Sequence, residues 1–309
     1  MKRKKSHASE SLSRLSTEKL NPASSNFDLK SALEIAKVIN TEDAKVAPAV
    51  KRALPQIARA IDLITAALMR GGRLIYVGAG TSGRIAALDA AECPPTFGTD
   101  PKTVQFVIAG GINALGSAVE ANEDSRKLGE REIAKRKPGK KDVVVGIAAS
   151  GRTPFTVAAI EHARRRGAKT IAVTCNRGSQ LAKAAHIAIV TEVGPEVIAG
   201  SSRMKAGTAQ KMVLNILSTG AMTRLGYVYG NLMVNVHLKN EKLVERGITI
   251  LQAAAGVGRA AAERMLRVAG SVPAALVMFH AEVSRSDALR ALKTAKGNVR
   301  VAISAARSL

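Results

Sequence analysis

The chain has few of the cysteines that staple small secreted proteins. Among its 309 residues only Cys93 and Cys175 are cysteines, and they do not form a C-x-x-C pair. A disulfide framework needs several paired cysteines, so that class of scaffold is excluded. Two isolated thiols are typical of a reducing compartment, and we expect a cytoplasmic protein.

Long uncharged apolar runs are also missing. A helix that crosses a bilayer needs about 20 consecutive apolar residues, and the sequence contains no such run. The basic first residues are followed by a serine-rich polar stretch and not by an apolar signal segment. We therefore expect neither membrane insertion nor export.

Acidic and aromatic residues are scarce. Lys and Arg number 47 against 24 Asp and Glu, a net charge of +23, while aromatic residues make up 3% and Trp is absent. A basic surplus can bind nucleic acid through counterion release, but these charges are scattered and platforms for stacking bases are lacking. We predict no nucleic-acid partner. The surplus either attracts an anionic substrate or reflects the composition of the host's proteins.

Apolar runs alternate with helical patterns through the middle of the chain. The runs span 73–78, 104–109, 142–148, 169–174 and 186–190, and the helical stretches lie near 82–91, 113–136, 154–166 and 179–184. Continuous apolar strands separated by helices predict an α/β fold, a doubly wound five-stranded parallel sheet covered on both faces.

Further helices flank this predicted sheet. Residues 26–38 and 44–68 precede it, and a long helix from Gly200 to about Leu225 follows it, with helices near 231–255. From about residue 257, breaks at 270–273 and 284–287 predict a small C-terminal module of three helices. The predicted division is residues 1–68, 69–255 and 256–309.

Two segments with the same Ser-Gly-Arg follow predicted strands. Loop 1 is residues 78–84 and loop 2 is residues 148–153. Backbone N–H groups at a helix start bind anions, and ligands of such sheets sit at the carboxyl ends of strands. The loops predict a site for a phosphorylated ligand. Its expected contacts are Gly80, Thr81, Ser82, Ser150, Gly151 and Thr153.

Loop 1 also matches the G-x-G-x-x-G dinucleotide fingerprint. That motif needs an acidic residue about 20 positions later for the ribose, whereas the next strand ends in residues 108–111, Ile-Ala-Gly-Gly. A sugar phosphate is therefore favoured over NAD. Two tight turns with serine caps are the structural alternative, which the repeated motif disfavours.

Carboxylates and hydroxyls stand near the same strand ends. Glu92 precedes a Pro-Pro turn that we expect to end its helix, and Glu120 and Glu123 follow the second strand. A helical Glu is usually a solvated surface residue, so spacing alone assigns them no role. Glu196 is ambiguous in the same way. At the start of the long helix, Ser201, Ser202, Arg203 and Lys205 could bind an anion or cap the helix.

Longer motifs follow one another in the order of a known family. They are residues 16–24 (STEKLNPAS), loop 1, 88–96 (LDAAECPPT), 108–111, 120–125 (EANEDS) and 200–211 (GSSRMKAGTAQK), extended by 231–234 and 240–243. In this order they closely resemble the N-acetylmuramic acid 6-phosphate etherases over nearly the whole chain.

The resemblance implies a three-layer sugar isomerase (SIS) fold, a homodimer, and no metal or other cofactor. Residues 69–255 become the SIS sugar-phosphate domain and 256–309 a UBA-like module. The implied reaction cleaves the D-lactyl ether of N-acetylmuramic acid 6-phosphate, giving N-acetylglucosamine 6-phosphate and D-lactate in cell-wall recycling. Ser202 departs from the family's usual Thr, and residues 235–237, Asn-Val-His, depart from its Asp-Val-x.

The family's acid/base glutamates fall on Glu92 and Glu123. We assign Glu92 as the acid that protonates the lactyl oxygen and Glu123 as the base for the C2 proton. The opposite assignment, or one residue serving both steps, stays open. Arg84 and Arg152 are expected to be structural.

Two other classes compete with this reading. A non-catalytic sugar-phosphate-binding regulator of the same fold, such as the glucokinase regulatory protein, needs no pair of glutamates. An aldose–ketose isomerase of this fold lacks the Glu-Cys-Pro-Pro-Thr motif.

Overall fold

The computed structural model describes residues 16–117, 122–238 and 240–308. The chain divides into two compact units. The first holds the described residues up to Asp89 together with Val104–Leu217, and the second holds Ala90–Thr103 and the described residues from Ser218 onward. The domain boundaries expected after residues 68 and 255 remain predictions.

A five-stranded sheet forms the centre of the first unit. Its strands are β1 (Leu74–Gly78), β2 (Val104–Ile108), β3 (Val143–Ile147), β4 (Lys169–Thr174) and β5 (Ile187–Val190). They lie in the order β2-β1-β3-β4-β5, and all neighbours are parallel. Every residue of β1 and β3 is buried, as strands covered on both faces require. The predicted doubly wound sheet is confirmed, with each strand end within one residue of its expected position.

Helices precede and connect these strands. They are α1 (Ala32–Asp43), α2 (Val46–Arg52), α3 (Leu54–Met69), α4 (Gly80–Phe97), α5 (Arg126–Ala134), α6 (Pro154–Arg165), α7 (Gln180–Ala184) and α8 (Lys205–Leu225). The boundary between the two units falls within α4 and within α8. In the described part of the chain, no helix is both long enough and apolar enough to span a membrane.

Several predicted helices have different limits. The helix expected at 26–38 runs from Ala32 to Asp43, and the helix expected at 44–68 is divided into α2 and α3. The stretch 113–136 contains only a short 3-10 turn, Ile112–Leu115, and α5, and residues 118–121 lie outside the described part. The Pro-Pro pair does not end α4 at once, because the helix continues to Phe97 with Pro94 and Pro95 inside it. Two prolines remove two N–H donors, and the helix ends within the same turn.

In its described residues, the second unit contains helices and one hairpin. Strands β6 (Val228–Tyr229) and β7 (Leu232–Met233) are antiparallel and joined by Gly230-Asn231. The helices that follow are α9 (Glu241–Ala255), α10 (Arg259–Ala269), α11 (Val272–Ala281), α12 (Arg285–Thr294) and α13 (Val299–Ala306). Their apolar core includes Leu251, Val272 and Leu276.

The predictions for this unit were wrong in two places. The helix expected from about residue 231 is replaced up to residue 233 by the hairpin, and four helices follow residue 256 where three were expected. The missed break lies at Lys296 and Gly297, whose φ values are 51° and 86°. This left-handed backbone is the conformation in which helices commonly end at glycine.

A buried ion pair fixes the start of α8. Nζ of Lys205 lies 2.5 Å from Oε2 of Glu42 on α1, and both side chains are 2% exposed. The amide of Asn21 donates to the same carboxylate oxygen at 2.9 Å and to the carbonyl of Pro195 at 3.1 Å. Lys45 supplies a second cation to Glu42. The pair joins residues 163 positions apart in the sequence.

The environment of Glu42 keeps it ionised. Burial raises its pKa, but hydrogen bonds from Lys205, Lys45 and Asn21 outweigh this effect and lower the pKa to about 2. Two charges taken out of water are costly unless they compensate each other, so loss of one leaves the other unpaired. The pair therefore specifies how α8 begins against α1.

Removal of either charge is expected to destabilise the protein. Glu42→Gln and Lys205→Met should each lower the free energy of unfolding by about 3–5 kcal/mol, and the double variant Glu42→Met/Lys205→Met by less than the sum. Urea unfolding at pH 7 measures both effects. The matched control is Arg259→Met, which breaks an exposed pair with Glu245 and should change stability little. Additive effects would contradict the pairing.

Acid should erase the difference between wild type and Glu42→Gln. The pKa of Glu42 is lowered from 4.5 to about 2 in the folded protein. Its stabilising contribution is therefore complete above pH 4.5 and is lost as the pH falls toward 2. Unfolding measured across this range should show the two proteins converging, and a constant gap would contradict the assignment.

Candidate active site

The two Ser-Gly-Arg loops lie at one edge of the sheet. Gly78 at the end of β1 pairs with Ile147 at the end of β3. The strand order reverses between these two strands, so their connections leave the sheet in opposite directions. In folds of this type ligands bind at this point, and loop 1 and loop 2 follow the two strands there.

Loop 1 turns from β1 directly into α4. Gly80 has φ +52°, a left-handed conformation that glycine adopts without strain. Ser82 is buried, and its hydroxyl donates to Oε1 of Gln210 on α8 at 2.9 Å. Thr81 is half-buried and also lies beside α8, since a Cβ at Gly207 would stand 3.5 Å from Cγ2 of Thr81. Loop 1 is thus packed against the first turns of α8.

Loop 2 turns from β3 into α6. Gly151 has φ +68°, and Oγ of Ser150 accepts the N–H of Arg152 at 3.2 Å. The proton of the Ser150 hydroxyl is not used by that bond and is available to a ligand. Thr153 precedes α6, and its side chain makes no capping hydrogen bond. The hydroxyls of loop 2 therefore suit an acceptor such as phosphate.

The carboxylate of Glu123 lies against loop 1. A Cβ at Gly80 would stand 2.9 Å from Oε1 of Glu123. The carbonyl of Glu123 accepts the N–H of Phe155 in the first turn of α6 at 3.0 Å. The backbone of Glu123 is thus attached to the helix after loop 2, while its half-buried side chain reaches loop 1.

Glu92 belongs to a different unit from these residues. It is exposed on α4 and belongs to the second unit, whereas Glu123 belongs to the first. Its partnership with Glu123 stays a prediction based on the resemblance. Glu120 lies outside the described residues.

Glu196 caps α8. Its two carboxylate oxygens accept the N–H groups of Lys205 at 3.0 Å and Ala206 at 2.9 Å, and the residue is fully buried. Burial raises its pKa, although these N–H groups and the Lys205 charge act to lower it. The carboxylate occupies the helix N-terminus, where an anion would otherwise bind. Direct contact between Glu196 and a sugar stays a prediction.

Ser201 and Ser202 lie just before α8. Both are half-buried, and the carbonyl of Ser202 accepts the N–H of Gly207 at 3.0 Å. A Cβ at Gly207 would lie near both Thr81 and the Ser202 carbonyl oxygen, at 3.5 and 3.6 Å. The structure therefore brings this segment beside loop 1.

The N-terminal motif supports the site through contacts that the sequence did not reveal. The backbone N–H and the hydroxyl of Ser16 both donate to Oδ1 of Asn176 at 2.9 Å. Nδ2 of Asn176 donates to the carbonyl of Ala149 in loop 2 at 3.1 Å. Ser16 and Asn176 are 160 positions apart in the sequence, and Asn176 and Ala149 are 27 apart. The sequence therefore indicated the importance of residues 16–24 for the site only through their motif.

Other side chains near the strand ends have structural partners or low reactivity. Arg84 donates to the carbonyls of Ala114 at 3.0 Å and Ser117 at 2.8 Å, which fastens the segment after β2. Burial raises the pKa of Cys175 to about 12, so it remains a thiol. Within the described ranges, no three His, Cys, Asp or Glu side chains cluster as a metal site would require.

Solved structures share this architecture. The phosphoheptose isomerase of Francisella tularensis aligns with a TM-score of 0.51 at 19% identity, over 63% of this chain and 100% of its own. The phosphoheptose isomerase of Neisseria gonorrhoeae aligns with a TM-score of 0.50 at 17% identity, over 62% of this chain and 100% of its own. At these identities the likeness establishes the fold alone.

Sequence comparisons reach further. Residues 56–164 match the glucokinase regulatory protein N-terminal SIS domain and residues 137–219 match the SIS domain. N-acetylmuramic acid 6-phosphate etherase 2 of Vibrio parahaemolyticus serotype O3:K6 is 51% identical over 94% of this chain and 98% of its own length. The N-acetylmuramic acid 6-phosphate etherase of Symbiobacterium thermophilum is 57% identical over 88% and 91%. With such identity over nearly its full length, and with an SIS-type sheet that carries both hydroxyl loops, the chain belongs to the N-acetylmuramic acid 6-phosphate etherase family.

Proposed function

We propose that the protein is a carbon–oxygen lyase that cleaves the D-lactyl ether of N-acetylmuramic acid 6-phosphate. The products are N-acetylglucosamine 6-phosphate and D-lactate, and the reaction serves peptidoglycan recycling. The observation that carries the proposal is the position of Glu123, whose carboxylate lies against loop 1 and whose backbone is attached to the helix after loop 2. A sugar phosphate held by both loops presents its ring to this carboxylate.

The loops hold the anionic end of the substrate. Two helices, α4 and α6, begin at loop 1 and loop 2, and their first N–H groups point toward an anion. The hydroxyl of Ser150 has its proton available, and those of Thr81 and Thr153 lie in the same loops. The backbone at Gly80 and Gly151 approaches the ligand without side chains. Ser201 and Ser202, beside loop 1, add hydroxyls for the sugar, and Glu196 orients them by capping α8.

Two carboxyl groups then carry the proton transfers. The ring opens to the aldehyde, which makes the neighbouring C2–H acidic, and Glu123 removes that proton. The electron pair forms a C2–C3 double bond as the C3–O bond breaks, and Glu92 protonates the departing lactate oxygen. Water then adds its oxygen at C3 and a proton returns to C2. The role of Glu92 rests on the family motif.

A non-catalytic sugar-phosphate-binding regulator is the alternative function. The match to the glucokinase regulatory protein SIS domain covers only residues 56–164, whereas etherases match at about half identity over nearly the whole chain. The enzyme is therefore favoured. We place it in the cytoplasm, because its two cysteines are buried and form no disulfide, and we assign it no nucleic-acid partner.

A homodimer is part of the proposal. Three leucines near the start of the described chain, Leu20, Leu29 and Leu33, are 83%, 79% and 64% exposed. Large apolar side chains that are exposed within one short segment favour association with a second copy. Sedimentation should show a dimer, and Leu29→Asp/Leu33→Asp should shift it toward monomer; a monomeric wild type would contradict this part.

The two glutamates should differ in the step that they support. Glu123→Gln should lower D-lactate release by at least about 100-fold and abolish exchange of the C2 hydrogen with deuterated water, because the amide cannot accept a proton. Glu92→Gln should lower lactate release as strongly but keep C2 exchange, because proton removal precedes departure of lactate. NMR follows the exchange and a D-lactate assay follows release.

A matched variant controls for the loss of a surface charge. Glu161 on α6 is exposed and pairs with Arg126, so Glu161→Gln should leave turnover within about twofold of wild type. The opposite exchange pattern would reverse the roles of Glu92 and Glu123. Losses below about tenfold in both would remove them from the chemistry.

Recognition of the phosphate should dominate substrate binding. Ser150→Ala should raise KM about tenfold with little change in kcat, because a hydrogen bond to a charged group contributes about 1.5–3 kcal/mol. N-acetylmuramic acid without the phosphate should be a very poor substrate for the wild type. Equal rates on the two sugars, or an unchanged KM in Ser150→Ala, would show that loop 2 is only a tight turn.

A further inference from the structure

The hydroxyls of the two loops differ in the direction of their protons. Oγ of Ser150 accepts a backbone N–H, so its own proton remains available. The hydroxyl of Ser82 instead donates its proton to Oε1 of Gln210 at 2.9 Å. A serine hydroxyl has one proton and can donate it to one acceptor at a time. In this arrangement Ser82 turns only lone pairs toward a ligand, and phosphate oxygens repel lone pairs.

Gln210 is itself incompletely bonded. Its side chain is 1% exposed, and Nε2 has no hydrogen-bond partner among the residues that the structure describes. A buried donor without an acceptor is unfavourable, because it has given up its hydrogen bonds to water. The unsatisfied donor therefore belongs to the same amide that contacts Ser82.

A half-turn of the Gln210 amide gives Nε2 an acceptor and places Oε1 where Nε2 stood. Oxygen and nitrogen of the amide are nearly the same size, so the rotation exchanges them without repacking. Nε2 then donates to Oγ of Ser82 across the same short distance. The proton of Ser82 is then no longer held by Gln210 and can point toward an anion at the start of α4.

We propose that Gln210 is a positioning residue that sets the direction of the Ser82 proton, and that a phosphate group at the start of α4 is bound with Nε2 of Gln210 donating to Ser82. The ligand chemistry is a phosphate ester or phosphate anion. This inference rests on the proposed function, because the anion it serves is the 6-phosphate of the substrate. Gln210 does not touch that anion.

The location of Gln210 supports a role specific to loop 1. It stands one helical turn after Gly207, and residues three apart share a helix face. That face meets Thr81 and Ser82 of loop 1, according to the contacts of both residues. Fixing the polarity of one hydroxyl is a task for an amide, which can both donate and accept, and not for a carboxylate, which only accepts when ionised.

The test is a double-variant cycle read out by the Kd of inorganic phosphate. Equilibrium titration gives this constant without turnover. The proteins are wild type, Ser82→Ala, Gln210→Glu and the double variant, followed by the same series with Gln210→Met. An ionised Glu at this position only accepts, whereas the Met thioether cannot donate and accepts only weakly.

The proposal expects the Ser82→Ala effect to depend on residue 210. Ser82→Ala should weaken phosphate binding about 10-fold in the wild-type and Gln210→Met backgrounds, where the serine proton can face the anion. In the Gln210→Glu background it should change the Kd by less than about twofold, because the carboxylate holds that proton. Repulsion between the new charge and phosphate acts in both members of the pair and cancels.

Two results would overturn the proposal: an equal Ser82→Ala effect in all three backgrounds, or no Ser82→Ala effect in wild type. Gln252→Glu on α9 is the matched control and should leave the Ser82→Ala effect unchanged. Kinetics of Ser82→Ala should show a raised KM with kcat within about threefold, which a general loss of stability would not produce.

A second measurement on the wild type covers the case in which Gln210→Glu does not fold. The side-chain amide resonances of Gln210 in 15N-labelled protein should shift as phosphate is added, because Nε2 gains an acceptor. Unchanged resonances at saturating phosphate overturn the proposal. Failure of the wild type to release D-lactate would instead count against the proposed function, since phosphate binding is measured without turnover.

Discussion

The pairing of β1 with β3 is the constraint on which the site depends. Five parallel strands in the order β2-β1-β3-β4-β5 place the ends of β1 and β3 side by side, although about 70 residues of chain separate the two loops. The glycines of both loops adopt left-handed backbone, at φ +52° for Gly80 and +68° for Gly151, so that each strand turns at once into a helix. A single edge of the sheet thereby collects two helix N-termini, and these attract an anion.

A second layer of polar contacts completes this edge. The Glu42–Lys205 pair and Asn21 fix the start of α8, and Ser16 and Asn176 fasten the N-terminal motif to loop 2. Such contacts are individually modest or costly in desolvation, yet they are directional, so they specify one arrangement of distant segments. The first turns of α8 can then pack against loop 1. The family's long motifs at residues 16–24 and 200–211 acquire a physical explanation in these contacts.

The direction of hydrogen bonds differs among loop 1, loop 2 and the start of α8. Glu196 fills the N-terminus of α8 with a carboxylate of the protein itself, whereas α4 and α6 begin at the two loops that are proposed to hold the phosphate. At loop 2 the proton of Ser150 is available, whereas at loop 1 the proton of Ser82 is held by Gln210. The two loops share a sequence motif, but their neighbours give the two hydroxyls opposite polarity. Glu123 lies beside loop 1, where the proposed reaction needs a base for the C2 proton.

The sequence by itself determined the sheet, since continuous apolar runs such as 143–147 that alternate with helical patterns are typical of the buried strands of a parallel sheet. The repeated Ser-Gly-Arg located both loops. It also determined the family through its ordered motifs. Local signals failed where a turn had an inconspicuous sequence, as at Lys296-Gly297, or where proline was tolerated, as at Pro94 and Pro95. Only the tertiary structure decided that Glu42 meets Lys205 across 163 residues and that Ser82 meets Gln210 across 128. The reason is physical: hydrogen bonds and ion pairs act over a few ångströms, and which distant side chains come that close is set by how the helices pack on the sheet.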